Sequence, residues 1–262
     1  MGSTSSAINH DIYNSTEDIW RDKDSAFSLL ETLFNPVRLK YYAKIFAEFK
    51  IIPPSCKVLD LGAGGGLFSE ELAKAGFATY GIDPSENAIL LAGRHAKNSN
   101  LEITYQEGSG ESIPFANEFF DAVFSCDVLE HVNNLPKVIS EISRVLKPDG
   151  CFFYETINRT FSSWWLMIKL LQDWELTAIV PKNLHDWHLF IKPKELADHC
   201  RLNGLQIKEM IGIATKFSII NMFLSIRRVK KGSIDFAEFA KGIRLIESKK
   251  LNLMYMGFAV KT

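Results

Sequence analysis

Residues Val58 to Gly66 read Val-Leu-Asp-Leu-Gly-Ala-Gly-Gly-Gly, and no other stretch of the chain restricts its fold so sharply. A buried apolar run that ends in clustered glycines and is followed by an amphipathic segment predicts a strand, a tight turn and a helix. Glycines admit positive φ and let a ligand approach the backbone, and the helix start beyond them offers unpaired N–H groups. Strand, turn and helix in that order bind a nucleotide-like ligand at the carboxyl edge of a sheet.

The rest of the chain extends the pattern. Short apolar runs at 57–61, 79–82, 103–106, 122–126 and 151–156 predict strands, alternating with helices over 67–75, 86–97 and 135–146, the last ended by Pro148-Asp149-Gly150. Two late strands are expected at 205–211 and 253–260, and residues 8–50 read as mostly helical. The expected organisation is an N-terminal helical extension over 1–50 and one α/β domain over 51–262, with acceptor-side insertions at 157–200 and 213–250. Lys plus Arg number 30 against 31 Asp plus Glu, so the basic excess of a nucleic-acid binder is missing. Four widely spaced cysteines suit neither a disulfide scaffold nor a zinc module and fit a cytoplasmic protein. Met1-Gly2 with Ser6 matches a short myristoylation pattern, which chance also produces. No apolar run is long enough to span a bilayer.

Charge selects the ligand. In a dinucleotide fingerprint the third glycine would fall at Leu67, and Asp60 would sit near the pyrophosphate, which it would repel. The same carboxylate suits the ammonium end of S-adenosylmethionine, directly or through water. Asp83, at the end of the second strand, is placed to accept both hydroxyls of a ribose.

Asp60-x-Gly62-x-Gly64-x-Gly66, Asp83, the segment from Asp127 to His131 and Leu146-Lys147-Pro148-x-Gly150 resemble class I S-adenosylmethionine-dependent methyltransferases. The resemblance implies a Rossmann-like, seven-stranded, mostly parallel sheet with helices on both faces and one antiparallel strand. It implies that Gly110 and Glu111 lie beside the adenine, with Cys126 and Asp127 also bordering the cofactor.

A narrower resemblance is carried by Asn35-Pro36-x-Arg38, Asn158-Arg159 and His185-Asp186-Trp187 ahead of Phe190-Ile191-Lys192-Pro193. These are similar to the ubiquinone-biosynthesis O-methyltransferases, which methylate phenolic hydroxyls on polyprenylated rings. The likeness implies cofactor contact by Arg38, an acceptor site at His185, Asp186 and Trp187, and magnesium held by Asp127, Glu130 and His131. The family has glutamate where this chain has Asp127, a histidine where it has Leu30, and a Trp-Trp-Asp stretch where it has Ile19-Trp20-Arg21.

If a helix began at Asp127, then Glu130 and His131 would share its face, and two carboxylates with an imidazole could hold a divalent ion. Such an ion would acidify a phenol, while His131 accepts the proton beside Glu130. The same Asp-x-x-Glu spacing also fits a helix capping box. Tryptophans 164, 165 and 174 with Lys169, and the basic run from Arg227 to Lys231, leave peripheral membrane contact open. The expected function is O-methylation of a phenolic small molecule such as 3-demethylubiquinol. Rival readings are a metal-free natural-product methyltransferase and a cofactor-binding assembly protein without turnover.

Overall fold

The computed structural model describes residues 8–15, 18–215 and 219–262. The Met1-Gly2-Ser6 pattern lies outside them.

Strand β1 (Lys57–Leu61) lies between β2 (Ala78–Asp83) and β4 (Phe120–Cys126), parallel to both. Beyond these lie β3 (Ile103–Glu107) and β5 (Leu146–Ile157), also parallel to their neighbours. The sheet continues from β5 through antiparallel pairings to β8 (Met254–Lys261), β6 (Leu205–Thr215) and β7 (Leu245–Ser248). The order β3-β2-β1-β4-β5-β8-β6-β7 makes eight strands rather than the expected seven. Two strands, β7 and β8, run against the others. The added strand is a four-residue edge inside the segment read as an insertion, and its half-buried residues give no alternating signal.

The expected α/β alternation is present. Helix α1 (Asn35–Glu48) precedes the sheet, and α2 (Leu67–Lys74), α3 (Glu86–Asn98) and α4 (Leu135–Val145) connect its parallel strands. Ser85 caps α3 by accepting the Ala88 N–H at 3.2 Å, and Asn134 caps α4 by accepting that of Lys137 at 3.1 Å. Helix α4 ends at Val145. Leu146 already pairs with Phe120, so Pro148-Asp149-Gly150 lies inside β5 and does not terminate a helix.

Alternation along β5 sends Cys151 and Phe153 to one face and Phe152 and Tyr154 to the other, where each joins a separate core. Tyr42 and Ile45 of α1 pack into the first of these cores with Phe124 and Phe153, whose rings stack at 4.7 Å. The N-terminal extension therefore contributes to the main core. Most of it outside α1 consists of short turns, including a 3-10 helix at His10–Asn14 and a π-helix at Leu30–Phe34.

Three segments of the chain come together in a further core. The short α5 (Phe161–Ser163) runs on as a π-helix over Trp164–Asp173, and α6 (Pro193–Leu202) follows before β6. Between β6 and β7 stand α7 (Ile219–Lys230) and α8 (Phe236–Lys241). Ile226, Phe236 and Phe239 from this last pair meet Leu29 of the N-terminal segment and Leu171 of the π-helix. Among the described residues, no helix is long and apolar enough to cross a membrane.

Candidate active site

The glycine turn is fastened to the end of β2. Gly62 and Ala63 donate their N–H groups to the Ile82 carbonyl at 2.8 and 2.9 Å. Gly64 donates to Asp83 Oδ2 at 2.9 Å, and Ser85 donates to Asp83 Oδ1 at the same distance. Burial raises the Asp83 pKa, and these two N–H groups oppose the rise. A carboxylate offers about four acceptor positions, so roughly two remain for a ligand. Gly62, Gly64 and Gly66 have φ of 76°, 49° and 82°, a conformation that side chains disfavour. Close approach adds a second demand for glycine: a Cβ at Gly64 or Gly65 would collide with the ring of Trp20. The turn is thus roofed by the N-terminal segment, which Arg21 pins through an ion pair to the buried Glu70 of α2.

Asp60 does not reach the cavity beside the turn. Its Oδ2 accepts the Ser69 hydroxyl at 2.6 Å, and burial pushes its pKa up to about 6. Its charge lies behind the turn, reaching a ligand only through intervening groups.

At the end of β4 the expected helical face is not formed. Asp127 adopts φ of 55°, a left-handed residue that turns the chain, and only a 3-10 turn, Leu129–His131, follows. The capping-box reading fails with it, since no side chain caps this turn. The three side chains diverge as a result. The Asp127 carboxylate pairs with Arg38, and Glu130 Oε2 accepts the Thr156 hydroxyl at 2.8 Å. The His131 ring lies between Tyr13 and His185, with centroids 6.0 and 5.2 Å away. Among the described residues no three His, Cys, Asp or Glu side chains gather as metal ligands. Asp127, Glu130 and His131 do not fit the expected magnesium site, because their carboxylates are committed to different partners.

Arg38 departs from expectation as well. It is buried and divides its guanidinium among Asp127, Glu155 and Asn35, the last at 3.2 Å. Burial disfavours its charge, and the two carboxylates outweigh that effect. Burial also raises Glu155 and Glu130 above the usual carboxylate range, and Glu130 is raised further by Asp127. Burial holds both imidazoles neutral, lowering His131 to about 3 and His185 to about 4. Glu130 Oε1 and the Nδ1 atoms of His131 and His185 are buried without a hydrogen-bond partner.

These elements enclose one cavity of about 560 Å³. Its first end is walled by Gly62, Asp83, Gly110, Glu111, Cys126 and Asp127, all assigned to the cofactor from sequence. Glu111 Oε1 also accepts the Asn133 and Asn134 N–H groups at 3.1 and 3.3 Å, which fixes it against the start of α4. His131 and His185 follow, and the far limb is lined by aliphatic and aromatic side chains such as Leu33, Leu171, Ile213 and Phe239. Arg38, Asp60, Gly64, Gly66 and Glu130 stand behind the wall. So do Asp186 and Trp187: Asp186 Oδ1 caps the next turn by accepting the His188 N–H at 2.9 Å, and Trp187 Nε1 donates to the Thr160 carbonyl at 2.9 Å. Of the expected acceptor trio only His185 lines the cavity.

Sequence reasoning missed Tyr13, which lines the cavity from a turn too short for periodicity to mark, and Glu155. A lone carboxylate within the Phe-Phe-Tyr-Glu-Thr run of β5 was the available signal for the latter.

A glycine turn beside an acceptor carboxylate, at the carboxyl edge of this sheet, is the geometry of a nucleotide-type cofactor site, and the chain's relatives assign that site to the S-adenosylmethionine-dependent methyltransferases. Residues 59–154 match the model of the methyltransferase domain family. A ubiquinone biosynthesis O-methyltransferase of Paramagnetospirillum magneticum is 34% identical, covering 77% of this chain and 82% of its own. The protein of the same name from Pelagibacter ubique is 35% identical, covering 77% and 84%. The chain belongs to the ubiquinone biosynthesis O-methyltransferase family and is an S-adenosylmethionine-dependent O-methyltransferase. The fold is shared more widely. An S-adenosylmethionine-dependent methyltransferase from Aquifex aeolicus superposes with a TM-score of 0.58 at 15% identity, covering 95% of this chain and 99% of that one. The cyclase SpnF superposes with a TM-score of 0.54 at 17% identity, covering 84% and 80%, so fold alone does not fix the reaction.

Proposed function

We propose that this enzyme methylates a phenolic hydroxyl on an aromatic ring carrying a long hydrocarbon tail, as on a polyprenylated ubiquinone precursor. The observation that carries this reading is the continuity of the cavity, from the cofactor turn past His131 and His185 into an apolar limb. Bound at the turn, S-adenosylmethionine supplies a methyl group on a positively charged sulfur. Asp83 is placed to accept ribose hydroxyls, and Gly110 and Glu111 to border the base.

A free phenol has a pKa near 10, so only about one in a thousand is ionised at neutral pH. The neutral His131 imidazole can accept the phenolic proton as the oxygen attacks. Burial makes a cationic His131 costly at rest. During transfer, however, His131 gains its charge as the cavity loses one, so the net charge of the buried site does not rise. Arg38 holds Asp127 in place from behind, and His185 offers a second imidazole toward the acceptor. No metal step enters this reading, because the donors of the expected ligand set are aimed apart.

Peripheral contact with a bilayer belongs to the same reading. Phe161, Trp165, Trp174 and Leu176 are exposed, and the last turn of α7 carries Arg227, Arg228 and Lys230. The test is transfer of an isotope-labelled methyl group to 4-methylcatechol and to longer-tailed catechols, with and without a chelator. Labelled ether that forms in the chelator's presence is expected, and no labelled product from any hydroxylated ring would overturn the reading.

A further inference from the structure

A groove on the outside of the protein is separated by one side chain from the apolar limb of the cavity. Met222 of α7 lines it, and the same side chain lines a second, outer groove. That groove is built from Trp165, Leu170 and Trp174 on one side and Ile220, Phe223 and Leu224 on the other, with no charged or hydrogen-bonding lining residue except the tryptophan N–H groups. Four of these are solvent-exposed: Trp165 by 43%, Trp174 by 52%, Ile220 by 71% and Leu224 by 55%. Scattered exposed apolar side chains are ordinary, but several gathered around one groove mark a place where apolar matter binds.

We propose that Met222 is the partition across which the hydrocarbon tail of the acceptor passes, from the inner limb into the outer groove between the π-helix and α7. The proposal rests on the acceptor reading above and specifies where the tail runs. Two observations favour a single chain as occupant. Only one residue stands between the groove and a cavity that runs back past His185 and His131 to the cofactor end. That shared residue is also a methionine, an unbranched side chain with three rotatable bonds that moves aside readily. Every carboxylate lining the cavity, Asp83, Glu111 and Asp127, lies at the cofactor end, so an alkyl chain beyond His185 meets no buried charge. Each methylene buried along such a path is worth about fourfold in affinity. Discrimination by tail length therefore depends on whether the path past residue 222 is open.

The test compares two probe acceptors, 4-methylcatechol and 4-hexadecylcatechol, with wild type, Met222→Trp and Met222→Ala at saturating cofactor. The expected result is a tenfold or larger fall in the ratio of kcat/KM, long tail over short, in Met222→Trp, and a ratio at or above that of wild type in Met222→Ala. A ratio within twofold of wild type in Met222→Trp would overturn the proposal. A second measurement needs no turnover. A hexadecylcatechol brominated at mid-chain should quench tryptophan fluorescence in wild type, and the quenching should fall in the Trp165→Phe/Trp174→Phe variant. Quenching by brominated phospholipid vesicles but not by the catechol would assign the groove to the bilayer alone and overturn the tail route. If wild type methylates neither catechol, the acceptor reading fails while quenching still decides the route.

Discussion

The two ends of the cavity are stabilised by opposite means. At the β4–β5 edge, a single buried guanidinium, Arg38, compensates Asp127 and Glu155, and charge is held in place by hydrogen bonds. At the far limb the walls come from three separate parts of the chain, joined by apolar packing around Ile226 and Phe239. The first arrangement is rigid and intolerant, because removing one charge strands the others in a low-dielectric interior. The second tolerates changes of volume, because apolar contacts are not directional. A methyl donor needs one placement, whereas a hydrocarbon tail needs only room, so the contrast suits the proposed division of the cavity between them.

The contrast can be broken at its strongest point first. Arg38→Ala should cost about 3 kcal/mol of folding stability, since the buried Glu155 would be left uncompensated and the half-buried Asp127 unpaired. A shift of the urea midpoint reads this directly, and a loss no larger than that of an exposed arginine would show that the pair is not stabilising.

At the cofactor turn, Asp83→Asn retains the shape but removes the charge that meets Gly64 and Ser85 and that the proposed reading turns toward a ribose. Affinity for S-adenosylhomocysteine by calorimetry should fall roughly 10- to 100-fold, the loss expected for hydrogen bonds to a charged group. Unchanged affinity would move the cofactor away from this carboxylate.

The smallest effect lies at the junction of the two ends. His185 is held neutral down to about pH 4, while in the unfolded chain it takes up a proton near 6.5. Between those values the unfolded state binds more protons, so stability falls as pH falls. The melting temperature should drop across that window, and His185→Gln should reduce the drop by about 1–2 kcal/mol, or roughly 3–6 °C. A drop of equal size in the variant would mean that His185 is not the group responsible.

How far the chain could be read without its structure follows from the same contrast. That Gly62, Asp83, Gly110, Glu111 and His131 share one cavity wall is legible in the sequence, because each follows a regular strand where local spacing fixes position. Asp127 and Glu130 do not converge with His131, because a helical spacing rule fails at a residue that takes positive φ and turns the chain away. The likeness implies cofactor contact by Arg38, but a motif looks alike whether its arginine meets a ligand or, as here, the carboxylates of Asp127 and Glu155. The family likeness implies an acceptor role for all of His185, Asp186 and Trp187, yet neighbouring residues in a loop face different ways and only His185 lines the cavity. Tyr13 and Trp20 reach the site across the fold, and nothing in their own neighbourhood announces that. The eighth strand escaped notice because a short edge strand buries too little to leave a pattern.

In the proposed mechanism His131 takes the acceptor's proton between the cofactor end and the apolar limb. The most direct measurement is single-turnover methyl transfer by His131→Gln at saturating cofactor, beside calorimetric binding of S-adenosylhomocysteine to the same variant. A fall of about 10²- to 10⁴-fold in rate with binding within about twofold of wild type is expected. A rate equal to that of wild type would contradict it.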